Sequence, residues 1–340
     1  MTATATLEQL RAARDHGAAY LSAQQNADGS IGEPAHGMRT LYKPIWAFAS
    51  TGQTDRAWRL VDWIVANALT DDGDLAGPFQ RGRALEAVDV YANAWVAAGA
   101  ARAGRPDLAI PMVQFMRTLQ DEETGGFFAR RNRHGRNDRQ ELLSTAQAGN
   151  ALLMTGDLDS AMRVGLWLER LAAGQPEPQR ALYYASTPSG GVTTEFPTDR
   201  AAGYVVRVDQ PAQPYFLLGI GPAFLSRLAR ATGETRWLET ARKLLQPALA
   251  ATDAMYETAQ VGKVGWGAAL LAGVTGEDRY AALAWRVAEA LLRQKMPDGH
   301  WDDAGGWRDQ ATANDVTAEI VVLLDEMWAG LATTGRSSGG

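Results

Sequence analysis

Apolar residues return along this chain with a helical period. Tyr280, Leu283, Ala284, Val287 and Leu291 fall at i, i+3, i+4, i+7 and i+11, with Arg286, Glu289 and Arg293 largely off that stripe. Leu60, Val61, Ile64, Val65 and Ala68 repeat the pattern, as do Leu238, Ala241, Leu245 and Ala248. Such one-sided segments belong on the outside of a helical layer. They alternate with segments that are apolar nearly all round, such as Ala94 to Ala101 and Ile320 to Leu324, which must be buried on every side.

One punctuation mark separates an apolar segment from the amphipathic one after it: Thr51-Gly52, Ala103-Gly104, Thr155-Gly156, Thr232-Gly233 and Thr275-Gly276. Glycine suits a left-handed helix C-cap, and a nearby Thr, Asp or Pro starts the next helix, so these are tight interhelical turns. The pattern predicts outer helices near 6–24, 54–69, 106–120, 158–173, 234–251 and 277–294. Inner helices are predicted near 40–51, 84–103, 141–155, 213–232, 255–275 and 314–332. Six outer–inner pairs make a closed double ring, an all-α fold spanning 1–334, with 335–340 a flexible tail. The long loops, 25–39, 70–83, 121–140, 174–212 and 295–313, then gather at one mouth, by the N-termini of the inner helices. Loops of that length usually carry function.

Composition adds limits. Of the 340 residues 46% are apolar, net charge is −6, and no basic stripe suits a phosphate backbone, so nucleic acid is not an expected partner. The absence of cysteine removes disulfides, thiolate metal sites and cysteine nucleophiles. No apolar run reaches the length of a membrane span, and Met1 to Ala13 has no signal-like core. A cytoplasmic protein is expected, with homo-oligomerisation left open.

The ends of several outer helices resemble a known repeat. Tyr20-Leu21 with Gln25-Asn26-Ala27-Asp28-Gly29-Ser30-Ile31 is similar to the QW motif of squalene–hopene and oxidosqualene cyclases, with Ile where Trp is usual. Phe115-Met116 with Gln120 and Gly125-Gly126-Phe127 places Phe there, Gln294 to Trp301 keeps the Trp, and Trp63-Ile64 with Asp72-Gly73-Asp74-Leu75 is a degenerate copy. The resemblance implies a single (α/α)6 toroid, in which the Gln caps a helix end and the aromatic packs under the next helix. Prenyltransferase β-subunits, lanthionine cyclases, linalool dehydratase-isomerase, N-acylglucosamine 2-epimerase and unsaturated glucuronyl hydrolases share that ring, so it implies architecture and not activity. The Asp-x-Asp-Asp acid of the hopene cyclases has no match here. The epimerases resemble the chain at Glu123 to Phe128 but use inner-helix histidines, whereas His16, His36, His134 and His300 fall on an outer helix or in loops.

Chemistry-bearing residues cluster within about two turns of the inner-helix starts. Asp89 and Asn93 share one face, with Tyr91 and Trp95 beside them. Asp89 either bonds to a neighbouring helix or, with a raised pKa, acts as the acid or base. Tyr256, Gln260 and Lys263 stand at i, i+4 and i+7 before Gly265-Trp266-Gly267, and a buried Lys263 calls for a carboxylate partner. Asp315 suits an N-cap, Ser144 with Gln147 suits a capping box, and Glu319, one turn deeper, suits neither. In the longest loop Arg207 and Asp209 share an extended face, as a surface pair or as substrate contacts, leading to Gln213 and Tyr215. Arg130 to Arg136 is the dense positive cluster, solvated or anion-binding, and His134 within it suits proton transfer near neutrality. No metal-ligand spacing and no nucleotide loop is present.

The leading expectation is a cofactor-independent cyclase, isomerase or dehydratase acting on a terpenoid-like or other largely apolar small molecule inside the ring. Asp89 is its acid or base, Asp209, Glu319 and His134 are second choices, and Tyr91, Tyr215 and Tyr256 position substrate. Tyr42, Trp46, Asn93, Gln147, Arg207, Gln213, Gln260, Lys263, Trp266, Trp301 and Asp315 complete the expected lining. The alternatives are a carbohydrate epimerase or unsaturated-uronide hydrolase, with Trp46, Trp266, Trp301 and Trp307 as sugar platforms, and a non-catalytic ligand-binding ring.

Overall fold

The computed structural model describes residues 5–75, 89–132, 134–302 and 309–334, apart from the side chains of residues 34–36 and 89. Asp89 lies in a helix, but its side chain lies outside the described residues, as do Arg133, Trp307 and the tail at 335–340. Over the described residues there are twelve α-helices. The first six are α1 (Leu7–Ala23), α2 (Pro44–Ser50), α3 (Thr54–Asn67), α4 (Asp89–Arg102), α5 (Pro106–Arg117) and α6 (Leu142–Thr155). The rest are α7 (Leu158–Ala173), α8 (Leu217–Thr232), α9 (Arg236–Leu249), α10 (Gly262–Thr275), α11 (Asp278–Gln294) and α12 (Gln310–Ala332).

The even-numbered helices form the inner ring, each against the next, and α12 closes it on α2. Each inner helix also packs on the outer helix that follows it through a tight turn. At the turns Gly52, Gly104, Gly156, Gly233 and Gly276 all adopt left-handed φ between +71° and +83°, which only glycine enters without strain. The sixth pair is made by the two ends of the chain: α1 packs chiefly on α12 and only marginally on α2. The architecture is the expected (α/α)6 toroid, with the pairing shifted by one helix from a sequential outer-then-inner reading.

Several boundaries differ from the sequence expectation, each for a local reason. The inner helix expected from 255 begins at Gly262, after two 3-10 turns (Asp253–Glu257 and Ala259–Val261) split by an extended Thr258. Tyr256, Gln260 and Lys263 therefore do not share an α-helical face. The last inner helix begins at Gln310, where the Asp309 carboxylate accepts the Thr312 N–H at 2.7 Å, so Asp315 is not a cap. The α6 cap is Glu141, which accepts the N–H groups of Leu143 and Ser144 at 2.8 and 2.7 Å, in place of the expected Ser144–Gln147 box.

Gly29, Gly73, Gly125 and Gly299, in the loops that resemble QW motifs, all have φ between +77° and +99°. A Cβ at these positions would overlap the carbonyl of Arg59, Pro111, Arg163 or His16 respectively. Each loop thus seats its glycine on the next outer helix, and the last seats on α1. The glutamines do more than end a helix: Gln25 Nε2 donates to the Arg56 carbonyl at 2.9 Å and Gln120 Nε2 to that of Ser160 at 3.0 Å. Both acceptors lie in the first turns of the next outer helix. The loop 174–212 carries four short strands, β2 (Ala181–Tyr183), β3 (Ala185–Thr187), β4 (Gly191–Val192) and β5 (Val205–Arg207), and β1 (Gln140–Glu141) precedes α6. β2 pairs antiparallel with β5, and β3 with both β1 and β4. Among the described residues no helix is long and apolar enough to cross a membrane.

Candidate active site in the mouth of the ring

Four charged side chains meet where α2, α10 and α12 begin. Lys43, immediately before α2, lies 2.8 Å from Asp315 and 2.6 Å from Glu319. Lys263, in the first turn of α10, binds the other oxygen of Glu319. Asp315 and Glu319 are four residues apart on α12, so one helix face presents both carboxylates. The side chains of Lys43, Lys263 and Glu319 are 5%, 5% and 7% exposed, and Asp315 is 19% exposed.

The two lysines differ. The Lys43 ammonium has two carboxylates and lies 4.9 Å from the Tyr42 ring and 5.8 Å from the Trp95 ring. Burial alone would lower its pKa, but Asp315 and Glu319 outweigh it and hold the group firmly protonated. Lys263 has one carboxylate oxygen and the Phe216 ring at 5.3 Å. Burial lowers its pKa, the Lys43 charge adds to this, and Glu319 only partly offsets it. Burial pushes the Glu319 carboxyl up, but the two ammoniums overcome that and bring it to about 2. Tyr42 and Tyr91, 6.0 Å apart, are pushed well above the ordinary phenol value, by burial first and by the carboxylate charges second. They stay protonated and can donate.

Beneath this cluster the ring is closed. Trp46 on α2 meets Trp266 on α10 with centroids 6.3 Å apart, although α12 separates those helices in the ring, so the contact crosses the interior. Arg227 comes from α8, on the opposite side from α2, and its guanidinium lies 5.4 Å from the Trp46 ring and 5.1 Å from that of Trp266. It is tied to Glu326 at 2.7 Å and to Asn150 at 2.8 Å. One helical turn, about 5 Å, separates Lys263 from Trp266. Among the described residues the mouth is therefore a shallow cup with charged walls and an indole floor. The close approach of α8 and α10 depends on Gly219 and Gly267, where a Cβ would overlap the facing backbone.

On the inner helices several buried polar atoms have no hydrogen-bond partner among the described residues: Nε1 of Trp46 and of Trp266, Oδ1 of Asn93, both ends of the Gln147 amide, and Ser144 Oγ. Asn93 is oriented by Asp74, whose Oδ1 accepts its amide N–H at 2.7 Å. Asp74 is itself held by Arg131 at 2.5 Å.

Of the residues singled out from sequence, Tyr42, Trp46, Tyr91, Lys263, Trp266, Asp315 and Glu319 gather here, whereas Asn93 on α4 binds the Asp74 loop and Gln147 is buried on α6. Lys43 was not foreseen. It precedes Pro44, where a solvent-facing lysine is ordinary, and its signal was its place at the head of the apolar run from Leu41 to Ala49. The remaining candidates stand elsewhere. Asp209 is half exposed and paired with Arg180 at 3.0 Å, and Arg207 lies 3.6 Å from Glu177. Gln213 accepts the Arg207 N–H at 3.0 Å, and Tyr215 donates to the Gln210 carbonyl. The Arg286 guanidinium covers the Tyr256 ring at 4.1 Å, and Gln260 is half-buried in its 3-10 turn. Trp301 is fully buried beneath its loop, donating to the Leu291 carbonyl at 2.8 Å, which makes it a packing residue and not a sugar platform. His134 is exposed and stacked on Phe128 at 5.4 Å. Within the arginine cluster, Arg131 is paired with Asp74 and Asp72, and Arg136 with Glu123. Among the described residues no group of three or more His, Asp or Glu side chains is disposed to hold a metal ion.

No family model and no curated protein matches the sequence. Solved structures match over nearly the whole chain. A D-mannose isomerase superposes with TM-score 0.67 at 12% identity, covering 93% of this chain and 96% of its own. An α-1,6-mannanase of glycoside hydrolase family 76 from a Salegentibacter species gives 0.63 at 14%, covering 96% and 99%. A type II terpene cyclase from Scytonema gives 0.58 at 12%, again covering 96% and 99%. These neighbours are an isomerase, a hydrolase and a cyclase, and what this chain shares with them is the (α/α)6 toroid.

Proposed function

We propose that this chain is an acid–base enzyme whose site is the Lys43–Asp315–Glu319–Lys263 cluster, acting on a small polar molecule of the sugar class by isomerisation or epimerisation. The observation that carries the reading is the floor of the cup. Trp46, Trp266 and Arg227 close the ring about one turn below the charged cluster, a depth that suits a compact substrate better than an extended isoprenoid chain along the axis. The Trp46 and Trp266 N–H groups, without a partner among the described residues, favour the same class, because a hydroxyl-rich ligand can accept from them and a hydrocarbon cannot.

Protonation states separate this reading from cyclisation. Starting a polyene cyclisation takes a strong carboxylic acid that still holds its proton, and Glu319, at about 2, is ionised between its two lysines. The same site suits moving a proton between neighbouring carbons. A carboxylate of the Asp315–Glu319 pair accepts it, Tyr42 and Tyr91 donate to the sugar oxygens, and the fixed charge of Lys43 stabilises an enediolate-like oxyanion. Asp89 keeps its expected role of acid or base as part of this proposal, since α4 brings it to the same mouth. A thermal-shift screen tests the class. An aldose, ketose or N-acyl sugar at about a hundred times its dissociation constant should stabilise the fold by roughly 2.7 kcal/mol. Stabilisation by isoprenoid alcohols or diphosphates, with none by sugars, would reverse the choice of substrate.

A further inference from the structure

The two buried lysines are not equivalent, and the difference points to a covalent role for one of them. Lys43 is shared by two carboxylates and flanked by two aromatic faces, so its charge is fixed from four sides. Lys263 holds a single carboxylate oxygen, and that carboxylate is already engaged by Lys43. It sits in the first turn of an inner helix, at the wall of the cup and one turn above the indole floor. A desolvated amine beside a second, permanent cation is the arrangement in which a lysine serves as a nucleophile at neutral pH.

We propose that Lys263 attacks the carbonyl carbon of an open-chain aldehyde or ketone substrate and carries it as an iminium through the proton transfer. This deepens the acid–base reading and rests on it, since it names the carbonyl form of the substrate and the atom that holds it. Written from the ammonium, the nitrogen–carbon bond forms and the carbon–oxygen bond breaks. Two of the nitrogen's protons leave with the oxygen as water, and one stays on the iminium. The iminium draws electrons from the adjacent carbon, whose proton passes to a carboxylate of the Asp315–Glu319 pair and returns to that same carbon on either face, restoring the iminium. Water then restores the carbonyl and the amine. No oxidant, reductant or co-reactant besides water enters the cycle.

The chain has four lysines, which makes the test readable residue by residue. Lys243 is exposed on α9, and Lys295 is half-buried 3.0 Å from His16, so both report ordinary amine reactivity. The intact protein is incubated with glycolaldehyde and cyanoborohydride at about pH 6.5, where ordinary lysines are protonated, and the reduced adducts are mapped by peptide mass spectrometry. The expected result is a hydroxyethyl adduct that forms at Lys263 about tenfold faster than at Lys243. Lys263→Arg, which keeps a cation beside Glu319, should abolish that adduct while the adducts of Lys243 and Lys295 are unchanged.

Labelling that follows exposure, with Lys243 first and Lys263 silent, overturns the proposal, as does trapping on Lys43. The two readings fail separately. If a sugar stabilises the fold but Lys263 forms no adduct, the iminium is refuted and the acid–base site remains. If Lys263 traps the aldehyde but no sugar binds, the nucleophile stands and the substrate class falls.

Discussion

At the scale of single residues, the energetics of the mouth turn on Glu319, the one side chain that touches both lysines. Its folded pKa, about 2, is below its ordinary value of 4.5, so its pairing stabilises the fold fully above pH 4.5 and is lost as pH falls towards 2. The shift corresponds to about 3 kcal/mol. Glu319→Gln leaves Lys43 with Asp315 but Lys263 with no carboxylate, so it should destabilise the protein by about 3 kcal/mol at pH 7. It should also flatten the acid limb of the stability curve between pH 4.5 and 2. Chemical denaturation of both proteins across that range checks the prediction, and an unchanged acid limb would locate the sensitivity elsewhere. Part of this site was legible in the sequence: a Lys and a Glu inside all-apolar helices have no surface role, so Lys263 and Glu319 announced themselves. Lys43 did not, because the residue before Pro44 reads as a helix entrance, and only the ring places that entrance over α12. Asp315 read as a cap because the start of its helix was set four residues late.

At the scale of elements, helix type and order follow from periodicity and from the Gly turns, because each turn needs a backbone that only glycine adopts easily. The loops are harder to read, since their conformations answer to a neighbour distant in sequence. Gly125 shows the contrast with a turn glycine. Gly52 and Gly125 both have positive φ, near +74° and +77°, but a Cβ at Gly52 meets nothing within 4 Å, whereas one at Gly125 overlaps the Arg163 carbonyl of α7. Gly52→Ala should cost about 1 kcal/mol, the strain of the left-handed conformation alone. Gly125→Ala adds a clash between backbones that no rotamer change relieves, and it should cost about 3 kcal/mol or more. Melting curves of the two variants measure the difference. Equal losses would mean that the loop yields and that its seat on α7 contributes little. The same pairing with a remote neighbour explains why Tyr256, Gln260 and Lys263 did not share a face. The segment before α10 is held by Gln294, which donates to the Tyr256 carbonyl at 2.8 Å, and it follows that anchor in place of a helical path.

At the scale of the whole molecule, the ring has no start until its ends meet. Five hairpins are made by tight turns, and these could be read directly. The sixth joins α1 to α12 across more than 300 residues, and sequence order, which places α1 next to α2, gives no hint of it. The contact is specific. Gly17 lets α1 approach Val321 and the Trp301 ring closely, Arg14 donates to Asp325 at 2.6 Å, and the last loop seats Gly299 on the His16 carbonyl. The helix so held, α12, carries Asp315 and Glu319, so closure of the ring and assembly of the site are coupled. Gly17→Val puts a branched side chain where a Cβ alone would come within 2.8 Å of Val321, pushing α1 away from α12 without touching the mouth. The expected result is a loss of about 3 kcal/mol in unfolding free energy, together with faster amide exchange in α12 and faster, less selective aldehyde labelling of Lys263 and Lys43. If exchange rises in α1 alone while α12 stays protected, the inner ring holds α12 by itself, through α2 and α10, and α1 is a cover and not the clasp.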